Sequence, residues 1–377
     1  MSAEYDKFIS ALFAKADSAS FPLSGAFELT SRCPLDCKMC YIHRKENDCD
    51  ALRREKSAKW WLDLAKQASK SGMLLLLLTG GEPLLRKDFD EIYLGAKQLG
   101  LLVSVNTNAL LIDDERVRFF IEHPPQRLNI SLYGASEETY RSLCGNGEAY
   151  EKVRSAIVKL VEAGISVKLN LTVTEYNRHD VAQVYDFAKQ YGLPVQTVTY
   201  MFPPLRAGGT ASRLSAEQAA QAKFECIRCK LGDEMLGRFL SAAKMSLPKG
   251  EVGECGDTCG ERIPCRAGLS TFWVTWDGFM SPCGMMNKPF FKADDFSSAW
   301  SQLQKARQDI ILPPKCRNCD LRVYCDVCAA VTLAETGSFG GIPEYVCEKA
   351  AVYKKLCDER IENSKLKIEN FGSLRSD

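Results

Sequence analysis

Three cysteines fall within eight residues of "SRCPLDCKMCYIH" (31–43), spaced Cys33-x3-Cys37-x2-Cys40, and no fourth stands beside them. Soft thiolates select zinc, copper or iron–sulfur clusters. Three of them hold three irons of a [4Fe–4S] cube and leave the fourth iron open to an outside ligand, a functional reason to stop at three. Three free thiols in a loop, or a zinc site completed elsewhere, are the competing readings; free thiols are commonly buried and scattered, which argues against the first. The chain has 17 cysteines but only three histidines, His43, His123 and His179, none within a cysteine pair. That weakens a mixed cysteine/histidine zinc finger. An odd, high count without an export signal argues against a disulfide framework and for metal ligation.

The elements that must position this loop are legible as alternation. Apolar, strand-like runs bounded by turn residues occur at 25–30, 73–78, 101–106, 127–132, 165–173 and 195–200. Helical periodicity separates most of them, as at 57–69, 148–163 and 181–188, with Gly164 and Gly192 as stops. About six strand–helix alternations imply parallel βαβ units with right-handed crossovers. Six is short of the eight of a closed barrel, so an α/β fold built on an open, partial (β/α)6 TIM-like barrel is expected. The cysteine loop follows the first strand, at the strand end where parallel α/β folds place their chemistry. Residues 201–213 read as a Pro/Gly-rich connector, followed by a helical segment to about 247. Nine cysteines then lie between Cys255 and Cys347. The expected division is an N-terminal extension (1–22), the barrel (23–235), linker helices with a smaller cysteine-rich domain (236–358), and a polar, frayed tail (359–377).

Composition narrows the class. The chain has 377 residues, 46% hydrophobic and 26% charged, as in a globular protein with a sizeable core. With 49 basic and 48 acidic residues the net charge is +1, so no overall field draws nucleic acid or an anionic membrane. The longest aliphatic run, "MLLLLL" (73–78), is far too short to span a bilayer, and "MSAEYDKFIS" lacks the apolar core of a signal peptide. A cytoplasmic protein without nucleic-acid or membrane partners is expected.

The x3–x2 spacing after the first strand, together with "TGGEP" (79–83) after the second, resembles the radical S-adenosylmethionine (SAM) superfamily. The resemblance implies that the open iron of a [4Fe–4S] cluster on Cys33, Cys37 and Cys40 is chelated by the amine and carboxylate of SAM. Gly80, Gly81, Glu82 and Pro83 then help to bind the amino group; glycine lets backbone approach closely, and a carboxylate suits an ammonium. "VNTNA" (105–109) and "ISLYG" (130–134) resemble the third- and fourth-strand segments of the family, making Asn106, Asn108 and Ser131 candidate SAM contacts. Tyr41, after the third cysteine, joins them, since Met39 takes the place before it that is commonly aromatic in the family. Cys144-Gly145 stands where many relatives have Arg-Gly, so a family arginine contact is in question.

The later cysteines read Cys265-x12-Gly278-x4-Cys283, then Cys316-x2-Cys319-x5-Cys325-x2-Cys328, then Cys347. This looks like a SPASM domain, the auxiliary-cluster module of several peptide-modifying relatives, with x2 in place of the family's x3 before its sixth cysteine. The resemblance implies two further [4Fe–4S] clusters, one on Cys259, Cys265, Cys283 and Cys328, with Cys255 competing for the Cys259 position. The other falls to Cys316, Cys319, Cys325 and Cys347. Two CxxC pairs also make a zinc ribbon, but ribbons separate the pairs by ~15–20 residues, and five separate them here. Cys226-x2-Cys229 reads as two incidental thiols on a helix.

The resemblance implies reductive cleavage of SAM to a 5′-deoxyadenosyl radical that abstracts hydrogen from a peptide or protein substrate, with an electron donor such as flavodoxin or ferredoxin. Thioether or carbon–carbon crosslinking of a ribosomally made precursor is the leading expectation, with a separate leader-peptide-binding protein as a further partner. Formylglycine formation is the first alternative, though the known sulfatase-maturing enzymes carry aspartate where Gly284 follows Cys283. A tetrapyrrole-modifying enzyme is the second, and a zinc-stabilised binding protein stands in a different class.

Overall fold

The computed structural model describes residues 3–203, 212–245, 265–316 and 318–373. Its framework is a nine-stranded sheet. Six parallel strands form the expected partial barrel: β1 (Ser24–Glu28), β2 (Leu75–Thr79), β3 (Leu102–Thr107), β4 (Arg127–Ser131), β5 (Val167–Thr172) and β6 (Val195–Val198). Each pairs with its successor in parallel register. In β5 burial alternates strictly: Val167, Leu169 and Leu171 enter the main hydrophobic core, while Lys168, Asn170 and Thr172 stay partly exposed on the other face. This is the period-2 pattern of a strand with one apolar and one polar side.

Preceding β1 is α1 (Ala3–Ala19); α2 (Ala58–Lys70), α3 (Phe89–Gln98) and α4 (Asp114–Glu122) follow in order. Next come α5 (Glu137–Cys144), α6 (Ala149–Glu162) and α7 (Val181–Gln190). Trp61, Leu64, Ala65 and Ala68 of α2 are buried, the i, i+3, i+4 stripe read from the sequence. The side chain of Ser136 caps α5 by accepting from Thr139 N, and Gly145 ends it with φ 73°, a left-handed turn that suits glycine.

The later region is not separate from the barrel. Strand β7 (Thr271–Val274) pairs in parallel with β1, Ser24 opposite Thr271 through Phe27 opposite Val274. β8 (Phe279–Ser281) and β9 (Phe291–Lys292) continue the sheet antiparallel, giving the order β9-β8-β7-β1-β2-β3-β4-β5-β6. Helices α8 (Ala216–Leu231) and α9 (Asp233–Met245) follow β6, so the boundary expected between 235 and 236 falls inside α9. α10 (Phe296–Arg307), α11 (Ala329–Thr336) and α12 (Glu344–Ser373) complete the chain. Ala220 of α8 and Leu236 and Leu240 of α9 pack with Tyr353, Cys357 and Ile361 of α12 in one apolar cluster. Lys349, 3% exposed, crosses between regions, donating to Thr199 Oγ1 and Asp326 Oδ2 at 2.9 Å each.

The tail expected to fray is instead the continuation of α12, a 30-residue helix reaching Ser373. Its sequence holds no proline and no glycine before Gly372, and Glu, Lys and Leu are good helix formers. Among the described residues no helix is long and apolar enough to cross a membrane.

Candidate active site

The loop after β1 carries Cys33, Cys37 and Cys40 over the strand ends, and a web of buried polar groups holds its base. The Arg32 guanidinium pairs with Glu55 (Nε–Oε1 2.7 Å) and donates to Glu46 O at 2.9 Å. Glu55 also accepts from Thr30 Oγ1 and lies 3.6 Å from Arg86. Arg86 donates to Leu29 O and Lys56 O, both at 2.9 Å. One carboxylate thus sits between two guanidiniums, all three side chains at most 10% exposed. None of the three was singled out from sequence, and their separations along the chain leave no local signal.

Gly80 and Gly81 close the same base from the β2 side. Gly81 N donates to Thr30 O at 2.7 Å and Glu82 N to Arg32 O at 2.9 Å. A Cβ on Gly80 would lie 2.3 Å from Thr30 O, one on Gly81 2.3 Å from Arg32 O, and Gly80 has φ 149°. The glycines are needed because two backbones touch here. Glu82 is fully buried and turned into the protein: its carboxylate accepts from Leu84 N (3.0 Å), Thr107 Oγ1 (2.9 Å) and Asn108 N (2.8 Å). Burial pushes its carboxyl up to about 7, against the pull of those three hydrogen bonds. Asn108, so held, donates from Nδ2 to Cys33 Sγ at 3.4 Å.

A cavity of about 520 Å³ opens beside this loop. Cys33, Cys37, Cys40, Tyr41, Gly80 and Gly81 line one part, and Asn106 of β3, Asn108 just past its end and Ser131 of β4 line another. Eight of the sequence-derived positions of the barrel site therefore share one cavity with Asn106, while Glu82 and Pro83 lie buried behind its wall. Asn129, not foreseen, donates to Asn106 Oδ1 at 2.8 Å. Lys168 is the one lysine or arginine among the lining residues and donates to Gln196 Oε1 at 2.7 Å. Tyr200, Met201 and Phe202, with Trp273 and Met285 of the later region, line the remainder. Trp273 Nε1 donates to the buried carboxylate of Glu28 at 3.0 Å, joining β7 to β1 at the edge of the site.

The donor set fits a cluster. Cys33 and Cys40 each receive a backbone N–H from two residues on, Leu35 and Ile42, an arrangement that favours thiolate sulfur. Burial nevertheless pushes both thiols up, Cys40 to about 12. Cys37 is raised by a hydrogen bond with Cys144 and then by burial. Three partly buried sulfurs with raised thiols are favoured as thiolates by positive charge among them, which iron would supply. Among the described residues no three His, Cys, Asp or Glu side chains converge to hold a single metal ion. A cubane takes one thiolate per iron and so spreads its ligands around a cube.

In the later region, Cys316, Cys319, Cys325 and Cys347 line one small cavity, as their expected grouping requires. Cys283 and Cys328 share one apolar cluster, and Cys265 is close enough to Cys328 to raise its thiol. Cys265 and Cys283 accept from Ala267 N and Met285 N at 3.4 Å. Cys255 and Cys259 lie outside the described residues. Cys226 and Cys229 lie on α8; Cys226 is buried and Cys229 bonds Glu225.

Residues 27–188 match the family described as the radical SAM superfamily. Over 333 residues the chain is 25% identical to an AdoMet-dependent heme synthase of Methanosarcina barkeri, covering 83% of this chain and 93% of that protein. A probable GTP 3′,8-cyclase of Saccharolobus islandicus is 34% identical over 167 residues, which span 44% of this chain and about half (52%) of that protein. Among solved structures, Streptococcus suis SuiB bound to S-adenosylmethionine superposes with TM-score 0.63 at 19% identity, covering 92% of this chain and 83% of SuiB. The AdoMet-bound anSMEcpe superposes with TM-score 0.68 at 18% identity, covering 92% of this chain and 100% of that one.

Proposed function

Because this chain belongs to the radical SAM superfamily, we propose that it cleaves S-adenosylmethionine in the cavity beside Cys33, Cys37 and Cys40 and modifies a peptide there by hydrogen abstraction. It is an enzyme, and its superfamily works with a [4Fe–4S] cluster and SAM, which sets aside the expectation of a zinc-stabilised binding protein. The observation that carries the reading is the shared cavity: the three thiols, the glycine backbone, Asn106, Asn108 and Ser131 face one space. Cys33, Cys37 and Cys40 would hold the cluster, and Gly80 and Gly81, able to pack against the base of its loop because they lack side chains, bring their backbone to the cavity wall where the SAM amino group would lie. When bound, cluster and SAM together supply a 5′-deoxyadenosyl radical able to take hydrogen from an unactivated carbon.

The protein's own part is placement. The Arg32–Glu55–Arg86 group fixes the loop, Glu82 fixes Asn108, and Asn108 steadies Cys33. Trp273, Met285 and Phe202 cover part of the cavity with apolar surface and keep water from a reactive radical. Two auxiliary clusters follow in this reading, one on Cys316, Cys319, Cys325 and Cys347 and one on Cys265, Cys283 and Cys328 with Cys259.

A peptide substrate is supported by the structures of SuiB bound to precursor peptide SuiA and of anSMEcpe bound to Cp18Cys peptide, each covering 92% of this chain. Crosslinking of a ribosomally made precursor is the favoured reaction, with a cytoplasmic flavodoxin or ferredoxin as electron donor and a separate leader-binding protein. Tetrapyrrole modification is the second reading, favoured by the near full-length similarity to the heme synthase.

The test is anaerobic reconstitution followed by 5′-deoxyadenosine measurement with candidate precursor peptides and with porphyrinoids. About 12 irons per chain and stimulation by a peptide are expected; stimulation by porphyrinoids alone would transfer the assignment to the second reading. Replacing Cys33, Cys37 and Cys40 together with Ala is expected to abolish 5′-deoxyadenosine formation while about 8 irons remain. Unchanged formation in that variant would overturn the active-site assignment.

A further inference from the structure

The three cysteines of the loop are not approached alike. Cys33 receives the Leu35 N–H and the Asn108 amide, and Cys40 receives the Ile42 N–H. Beside Cys37 two backbone donors turn to another element: Asp36 N donates to Cys144 O and Lys38 N to Leu143 O, each at 3.0 Å. These two bonds clamp Cys37 against the last turn of α5. There its sulfur lies beside the thiol of Cys144, which is 0% exposed. The packing is close: a Cβ on Gly145 would lie 3.4 Å from Asp36 Cβ. Tyr133 and Tyr140 lie near both sulfurs, their phenols pushed up by burial, so on the Cys144 side water is excluded and a hydrogen bond counts for more than in water.

Of two neighbouring thiols, either can donate a hydrogen to the other. Once Cys37 binds iron it is a thiolate with no proton to give, and Cys144 alone can donate. We infer that Cys144 is a positioning residue for the cluster: its S–H donates to the Cys37 thiolate, fixes that ligand and raises the cluster's reduction potential. The donated hydrogen draws charge from the ligand sulfur and so favours the reduced cluster, which carries one more negative charge; hydrogen bonds to sulfur are among the levers that set such potentials. Reduction adds one electron from the external donor, and the proton stays on Cys144. The inference rests on Cys33, Cys37 and Cys40 being the cluster ligands.

The experiment is a redox titration, followed by electron paramagnetic resonance, of the full reconstituted chain and its Cys144→Ala and Cys144→Ser variants. The signal to follow is the one that changes when SAM is added, since it reports the SAM-binding cluster. Cys144→Ala is expected to keep wild-type iron and titrate at a more negative potential. Cys144→Ser, with a stronger donor, is expected at the wild-type value or above. In wild type an exchangeable proton coupled to that signal, lost in deuterium oxide, is expected, and it should be missing from Cys144→Ala. An unmoved potential in Cys144→Ala, or an unchanged proton coupling, overturns the inference. Where Cys144→Ala fails to load iron, a Cys144→Ser potential below wild type overturns it. The underlying ligand reading fails differently, through a SAM-responsive signal that survives replacement of Cys33, Cys37 and Cys40.

Discussion

The loop of Cys33, Cys37 and Cys40 and the site of Cys316, Cys319, Cys325 and Cys347 hold their thiols by different means. The first is fastened by a carboxylate between two guanidiniums, by backbone contact with Gly80 and Gly81, and by two bonds to the end of α5. The second hangs on two 3-10 turns, Pro314–Cys316 and Arg322–Tyr324, and on the first turn of α12. The first site is held on every side by protein contacts; the second is tied down chiefly at Asp326, which accepts from Lys223 and Lys349, and carries its cysteines on short turns. A radical centre needs its ligands held where SAM and substrate meet, whereas a site ligated on every side can gain its order from the metal itself.

The strongest way to break this contrast is Glu55→Ala. It strands Arg32 in buried surroundings without its counter-charge, while Arg86 keeps its pair with Asp88 at 2.7 Å. Removing one partner of a buried pair costs about 3–5 kcal/mol, so apo-protein denaturation should shift by about that amount. A loss under 1 kcal/mol would mean the loop base is no firmer than the second site.

Next comes pH. The folded-state carboxyl of Glu82 lies at about 7, above its ordinary 4.5. The folded protein therefore holds this proton more tightly than the unfolded chain does. Stability should fall as pH rises from about 4.5 through about 7 and level off above, by about 3 kcal/mol for this group. Urea unfolding of apo-protein and of Glu82→Gln across that window checks the sign. The variant starts less stable, because an amide cannot accept all three hydrogen bonds, but it should lack that slope. An equal slope in both proteins would assign the dependence elsewhere.

Gly81→Ala is expected to be milder in stability and sharper in function. Its methyl meets Arg32 O, and such crowding costs about 1–3 kcal/mol. Iron loading should persist while SAM affinity drops, measured by equilibrium binding; unchanged affinity would mean the two backbones can separate without disturbing the site.

The same contrast explains what could be read from sequence. Strand alternation, the x3–x2 spacing and the glycine pair are local patterns, and each appears where expected. Glu55 serves Arg32 from 23 residues away, and β7 joins β1 across more than 240 residues. Such pairings are set by the folded sheet and leave no periodic trace. Glu82 was legible as functional, but its orientation was not, because Thr107 and Asn108 reach it only once β3 lies beside β2. The polar composition of the end of α12 points to fraying, but a run without proline and with strong helix formers continues a helix already begun.

The smallest expected effect sharpens the comparison most. Cys319→Ser in apo-protein should change stability by less than about 0.5 kcal/mol, as for a surface substitution, because the 3-10 turns around it carry little of the core. In reconstituted protein the same change should remove about 4 irons. It should also raise hydrogen exchange in residues 314–328, with exchange in β1 to β6 unaltered. If instead the apo-protein of Cys319→Ser were destabilised as strongly as that of Glu55→Ala, the second site would be as preformed as the first. The barrel, already complete around its loop, would then not be alone in meeting its cofactor as a finished receptor.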